Sequence, residues 1–439
     1  MNTKQNIQIL YYRLERLFTR PVRKLLFRRV WQKKLPIAMI TGSHGKTTTS
    51  RMLANILKHA GHTVGLACSD GVFVDGELVK RMDGSSYYGA RKVLRHPAVT
   101  AAVLETGAGG VSLQGLYVDT SNVSVLLNLL REHIGEYGVK SADHLLSLKQ
   151  QVLDCAEDAA IVNMEDDNCV RMMDTVKAAR LIVYSLDPDN AALKRALALG
   201  HTAFTLDADK QNVVLKQQDA EKKIVARVED ILATSSGLAF HNIANAMAAA
   251  GLALGLGIDL AFISTGLQSA DASIDRFATR FNVIDDYPFT LVIDKALGPG
   301  SLDKSLQAQA KLKITGKRYC LLTSLGNKSD EVLLKIAEQL TRRFDAYLVY
   351  DVPGFRRGKP AGDIVVRYSN ALRHCGVPEH LIVPAADLPE AIDKLSPLLA
   401  KGDLVFAQYM LDQHLVELAP KLQSISMDIA SATNKKTAP

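Results

Sequence analysis

Residues 36 to 50, Pro36-Ile-Ala-Met-Ile-Thr-Gly-Ser-His-Gly-Lys-Thr-Thr-Thr-Ser50, pass from an apolar run through a glycine-bearing turn into a hydroxyl-rich segment. That order reads as strand, phosphate loop and helix. Gly42 and Gly45 let the chain turn tightly and bring N–H groups against an anion, and the helix that opens near Lys46 adds the positive end of its dipole. Ser43 and His44 lie within the turn. Lys46 would reach the outer phosphates of a nucleotide, Thr47 would hold a magnesium ion, and Thr48 continues the helix start. The spacing G-x-x-G-K-T meets only the second half of the common G-x-x-x-x-G-K-[ST] loop. The competing reading is a serine- and threonine-rich helix cap, which the strand before and the helix after disfavour.

Outward from this loop, apolar runs and helical segments alternate along the chain. Thr63–Cys68, Val99–Leu104, Asn122–Asn128, Ala159–Asn163 and Leu181–Ser185 are continuous apolar runs, as expected of strands covered on both faces. Ser50–His62, Ala142–Cys155, Asp166–Ala179 and the alanine-rich Phe240–Leu256 read as helices. Between about 200 and 232 the pattern turns short and polar, which predicts a small antiparallel appendage. A second alternating series follows, with strands at Thr290–Asp294, Arg318–Thr323, Ala346–Tyr350, Leu381–Val383 and Asp403–Phe406. The prediction is an α/β chain holding two doubly wound sheets: a parallel-sheet ATPase domain with the phosphate loop, then a Rossmann-like domain. The expected divisions are a basic arm at 1–35, an ATP-binding domain at 36–273, a second domain at 274–426 and a disordered tail at 427–439.

A chain of 439 residues with 47% hydrophobic residues can bury large sheets in two or three domains. Residues 1–34 hold ten Lys or Arg against Glu15 alone, more than the whole net charge of +7, so the body is near neutral. A near-neutral body gives nucleic acid no basic face to bind. Ile7, Leu10, Tyr11, Leu14, Leu17 and Phe18 recur at helical spacing in the arm. They suit an interfacial helix on an anionic membrane or a helix packed on the body or on a protein partner, and packing is the commoner use of such a stripe. The five cysteines are scattered with no C-x-x-C pair and no secretory signal ahead of them, which suggests a reduced, cytoplasmic setting.

The form T-G-[TS]-x-G-K-T-T-T after a buried strand resembles the ATP loop of the Mur ligases, which join a carboxylate to an amine through an acyl phosphate. The resemblance runs from about 35 to 407 and implies ATP and Mg2+ as cofactors. It makes Glu105, which opens Glu-Thr-Gly-Ala-Gly-Gly110, a metal ligand with Thr47. His133, in Asn128-Leu-Leu-Arg-Glu-His133, matches an Asn-x-x-x-Asp-His segment whose histidine helps bind a second magnesium, with Glu132 in place of the aspartate. Lys149 falls near a family lysine that can be carbamylated to a metal-bridging anion, although a lysine on a helix is ordinarily a surface residue. His241 and Asn242 match the His-Asn-x-x-Asn segment that borders the adenine; the alternative for Asn242 is helix capping. Arg276 aligns with an arginine that touches the ATP phosphates, and Asp294 with the aspartate of an Asp-Tyr-Ala-His-Asn-Pro loop. Here that loop is Asp294-Lys-Ala-Leu-Gly-Pro299, so the histidine and asparagine are gone.

Cys68–Gly76, Val103–Gly110 and Phe355–Asp363 resemble one branch, the carboxy-terminal Mur-like part of the cyanophycin synthetases, which add arginine to aspartate side chains of a polymer. The expectation is a chain without that enzyme's ATP-grasp half. Where the branch carries arginines this sequence has Ala108, has Leu113 or Gln114, and reads Gly326-Asn-Lys-Ser329. Losing bidentate arginines argues for a different substrate. The resemblance implies an ATP-dependent, ADP-forming ligase acting on a small-molecule or peptide carboxylate and an amine. Its rivals are an ATP-binding subunit that needs a partner protein and a degenerate scaffold; an oligomer is compatible with all three.

Overall fold

The computed structural model describes residues 35–130, 137–235, 237–269, 281–408, 421–427 and 429. The arm at 1–34, His133 and Arg276 lie outside the described residues. Contacts divide the chain into two units, residues 1–270 and 271–439, each with its own sheet.

The first sheet has eleven strands: β1 (Ile37–Thr41), β2 (Val64–Cys68), β3 (Gly71–Val74), β4 (Glu77–Lys80), β5 (Ala101–Glu105), β6 (Ser121–Leu126), β7 (Ala156–Asn163), β8 (Arg180–Ser185), β9 (Thr202–Leu206), β10 (Asn212–Lys216) and β11 (Lys223–Arg227). They lie in the order β11-β10-β9-β8-β7-β6-β1-β5-β2-β3-β4. The strands from β2 through β5, β1, β6, β7 and β8 to β9 are parallel. Every residue of β1, β2 and β5 is buried, as parallel strands roofed on both faces must be. β1 is central, and the chain leaves it toward β2 on one side and reaches β6 on the other, so the carboxyl end of β1 is the point where strand order reverses. Ligands of open α/β sheets bind at such a point.

The helix Phe240–Gly255 shows how the roof is fitted. Its alanines are buried on nearly every face, and a Cβ on Gly255 would lie 2.8 Å from Val123 and 3.0 Å from Ala159. Small residues let this helix lie close on β6 and β7, whereas a larger side chain would push it off the sheet.

Two expectations need correction. The 200–232 region pairs antiparallel as expected, β9 with β10 and β10 with β11, but it is not an appendage: β9 is parallel to β8, so these strands carry the same sheet outward. Phe204, Leu206, Val213 and Val214 are fully buried, but the short polar turns between them hide that continuity in the sequence. The second correction concerns the hairpin β3–β4, which the alternating pattern did not predict. Its Asp75-Gly76 turn is a dipeptide typical of two-residue hairpins.

The second sheet contains β12 (Asn282–Ile284), β13 (Thr290–Ile293), β14 (Arg318–Leu322), β15 (Ala346–Tyr350), β16 (Ile382–Ala385) and β17 (Leu404–Ala407), in the order β12-β13-β17-β14-β15-β16. Of these, only β12 is antiparallel. Residues 421–427 are helical, and Leu422, Ile425 and Ile429, at helical spacing, pack on this unit's core. Ile429, which packs on this core, is the third residue of the stretch read as a disordered tail. Among the described residues no helix is long and apolar enough to cross a membrane.

Candidate active site

The loop after β1 is built as its composition predicts. Gly45 sits at φ +84° as the residue before the helix Lys46–His59, whose first intrahelical bond runs from Thr49 N to Gly45 O at 2.9 Å. The positive end of the helix dipole thus lies at Gly45–Thr48. A Cβ on Gly45 would meet Asn245 Oδ1 at 2.2 Å, and Asn245 is itself held by its Nδ2 donating to Asn242 Oδ1 at 3.1 Å. Gly45→Ala is therefore expected to weaken nucleotide binding about tenfold, since left-handed backbone and a blocked contact act together. Isothermal titration with ATP and magnesium measures this. Lys46 Nζ donates to Gly42 O and Ser43 O, both at 3.0 Å, which holds its ammonium over the loop.

Glu105 closes β5 and is 3% exposed. Three donors meet its carboxylate: Thr47 Oγ1 to Oε2 at 2.9 Å, Ser69 N to Oε2 at 3.0 Å, and Ser69 Oγ to Oε1 at 2.7 Å. These three contacts fix the orientation of the carboxylate. Ser69 carries no signal in the sequence that marks it as a site residue. It enters because β2 pairs with β5, which brings the residue after Cys68 against Glu105. Beside it, burial pushes the Cys68 thiol up to about 12, so it stays protonated and the cluster offers oxygen alone. A hydroxyl and a carboxylate in contact under a phosphate loop fit magnesium, which takes one or two protein oxygens and completes its shell with phosphates and water. Among the described residues no three His, Cys, Asp or Glu side chains are grouped to hold a metal unaided.

The remaining predicted residues fall as follows. Lys149, on the helix Ala142–Leu153, is 2% exposed, so it is not the surface lysine its helical position suggests. Its charge is close enough to act on the buried Cys169 thiol. Asn242 does not cap its helix; it is buried, donates to Ala233 O at 2.6 Å and accepts from Asn245. His241, beside it, is partly exposed. In the second unit Asp294 follows β13, and its Oδ1 accepts from Phe281 N at 3.3 Å. The branch-like segment Phe355–Asp363 is tied by Asp351, whose Oδ2 accepts from Arg356 Nε and Gly362 N, both at 2.8 Å. Gly326-Asn-Lys-Ser329 is pinned by Arg367, which donates to Gly326 O and Lys328 O.

Residues 40–253 match the Mur ligase middle domain family. The match covers just under half of the chain. The chain's curated relatives include the cyanophycin synthetase of Trichormus variabilis, 29% identical over 78% of this chain and 37% of that protein. Another is the UDP-N-acetylmuramoyl-L-alanyl-D-glutamate–2,6-diaminopimelate ligase of Bacillus cereus, 24% identical over 75% of this chain and 64% of that protein. The chain thus spans under two fifths of the length of that cyanophycin synthetase. Among solved structures, a bifunctional folylpolyglutamate synthase/dihydrofolate synthase with Mn, AMPPNP and L-glutamate bound is similar in fold at a TM-score of 0.62 and 18% identity, covering 88% of this chain and 89% of that one. A pseudomurein peptide ligase type C from Methanothermus fervidus is similar at 0.60 and 18%, over 89% and 79%. The matched residues include the loop, Glu105, Lys149 and Asn242, while Asp294 and Gly326–Ser329 lie beyond them.

Proposed function

We propose that this chain is an ATP-dependent ligase that joins a carboxylate to an amine through an acyl phosphate, releasing ADP and phosphate. The observation that carries the reading is the contact of Thr47 with Glu105 beneath the loop of Gly42–Thr48, at the switch point of the first sheet. Lys46 would hold the outer phosphates, and Thr47 and Glu105 would hold magnesium, which neutralises charge on the transferring phosphoryl group. Ser69 keeps the Glu105 carboxylate turned toward that position. A substrate carboxylate oxygen attacks the γ-phosphorus as the bond to ADP breaks. The amine nitrogen then attacks the acyl carbon, phosphate leaves, and the nitrogen loses its proton. His133, Arg276 and Asp294 are proposed to take the roles of the family residues they match. Lys149, buried on its helix, is proposed to take the part of the family lysine that can be carbamylated to a metal-bridging anion. The test is ADP release from ATP and magnesium with a panel of acidic peptides and amino acids; no substrate-dependent release from folded protein rejects the ligase reading.

One observation favours the rival of a partner-dependent subunit. In Asp294–Pro299 the family's histidine and asparagine are replaced, and the loop is packed instead: Ala296 is fully buried and its carbonyl accepts Gln408 Nε2 at 2.9 Å. Stimulation of turnover by a co-purified protein, with none by substrates alone, would favour that rival.

The substrate is proposed to differ from the aspartate polymer of the cyanophycin branch. Ala108 stands three residues past Glu105, where an arginine reader would enter the crevice, and an alanine cannot bind a carboxylate. No arginine transfer onto an aspartate polymer is therefore expected, checked by labelled arginine; incorporation at a rate near that of ATP turnover contradicts it.

A further inference from the structure

We infer that Asn128 is a positioning residue that sets the shape of the phosphate loop before nucleotide arrives. The assignment rests on the nucleotide reading above and concerns how that site is held. Asn128 lies just past β6, and its amide grips the loop in both senses. Oδ1 accepts from Ser43 N at 3.0 Å and His44 N at 2.9 Å, while Nδ2 donates to His44 O at 3.1 Å. Its backbone carbonyl also accepts from Ser43 N at 3.0 Å. Leu130 adds a reciprocal pair, its N donating to Ser43 Oγ at 2.9 Å and its O accepting from that hydroxyl at 3.3 Å.

The strut that carries this grip is itself held from behind. Leu127 N donates to Thr41 O at 2.9 Å, and Leu127 O accepts from Asn163 Nδ2 at 2.8 Å and Tyr184 Oη at 3.3 Å. Leu129 N donates to Asp166 Oδ2 at 2.7 Å, and Leu129 O accepts from Asn168 Nδ2 at 3.4 Å. Each backbone polar group of Leu127, Leu129 and Leu130 is thus paired, so the strut is a rigid platform anchored at the ends of β7 and β8. With Ser43 and His44 N–H committed to Asn128, the loop's donors to an anion come from Gly45 onward, at the helix start. A preset loop binds without first losing conformational freedom.

The experiment compares ATP with AMP, which lacks the outer phosphates, by competition against a fluorescent nucleotide with magnesium on the full chain. It adds a nucleotide-free melting curve. Asn128→Ala is expected to lower ATP affinity about tenfold or more while AMP affinity changes less than about twofold. Equal losses for both nucleotides mean general damage and overturn the assignment, as does an unchanged ATP affinity. Should Asn128→Ala not fold, Asn128→Ser, which is uncharged but too short to reach both the N–H and the carbonyl of His44, carries the test with the same expected fall in the ATP-to-AMP ratio. A parent protein that binds no ATP overturns the nucleotide reading itself and this assignment with it. A parent that binds ATP, with an unchanged ratio in the variants, overturns the Asn128 assignment alone.

Discussion

Lys46→Ala is expected to lower ATP turnover by about three orders of magnitude while shifting the melting temperature by about 2 °C or less. Its ammonium rests on the carbonyls of Gly42 and Ser43, which belong to the loop, so the substitution leaves the packing of the sheet intact. What is lost is a positive charge at the outer phosphates. A protein accelerates phosphoryl transfer chiefly by stabilising charge on the moving group, and alanine offers no charge to do so. Steady-state ADP release and a melting curve on the same preparation check both halves. Turnover near the parent's in a folded variant would remove Lys46 from the site.

Glu105→Gln tests the metal. The substitution keeps the side-chain shape but removes the charge, and the amide nitrogen would face one of the donors that Glu105 now accepts from, Thr47 or Ser69. The magnesium concentration for half-maximal turnover is expected to rise about tenfold or more, with nucleotide binding in the presence of EDTA little changed. Magnesium titrations that superimpose for variant and parent would show that Glu105 is no ligand.

Much of this architecture was legible along the chain. β1, β2 and β5 are buried on both faces, so they appear in the sequence as unbroken apolar runs, and the turn at Gly42–Gly45 followed by Lys-Thr-Thr-Thr marks where the first of them meets a helix. The loop could be read because its residues are contiguous. Glu105 could be read because a carboxylate ending an apolar strand is unusual, and because a known family places one there.

Other features depend on which strands become neighbours, and no local pattern states that. Ser69 meets Glu105 because β2 lies beside β5, and Asn128 meets the loop because β6 lies beside β1; both fall in family-like segments of the sequence, but no local pattern gives them these contacts. Burial of Lys149 likewise depends on how its helix is covered, since lysine at that helical position reads as surface. The sequence by itself determined the alternating α/β plan, the phosphate loop and the carboxylate opposite it, because each is written in consecutive residues. Only the tertiary structure decided what holds them, because hydrogen bonds between residues some 36 to 85 positions apart form where the strand order sets chain segments side by side.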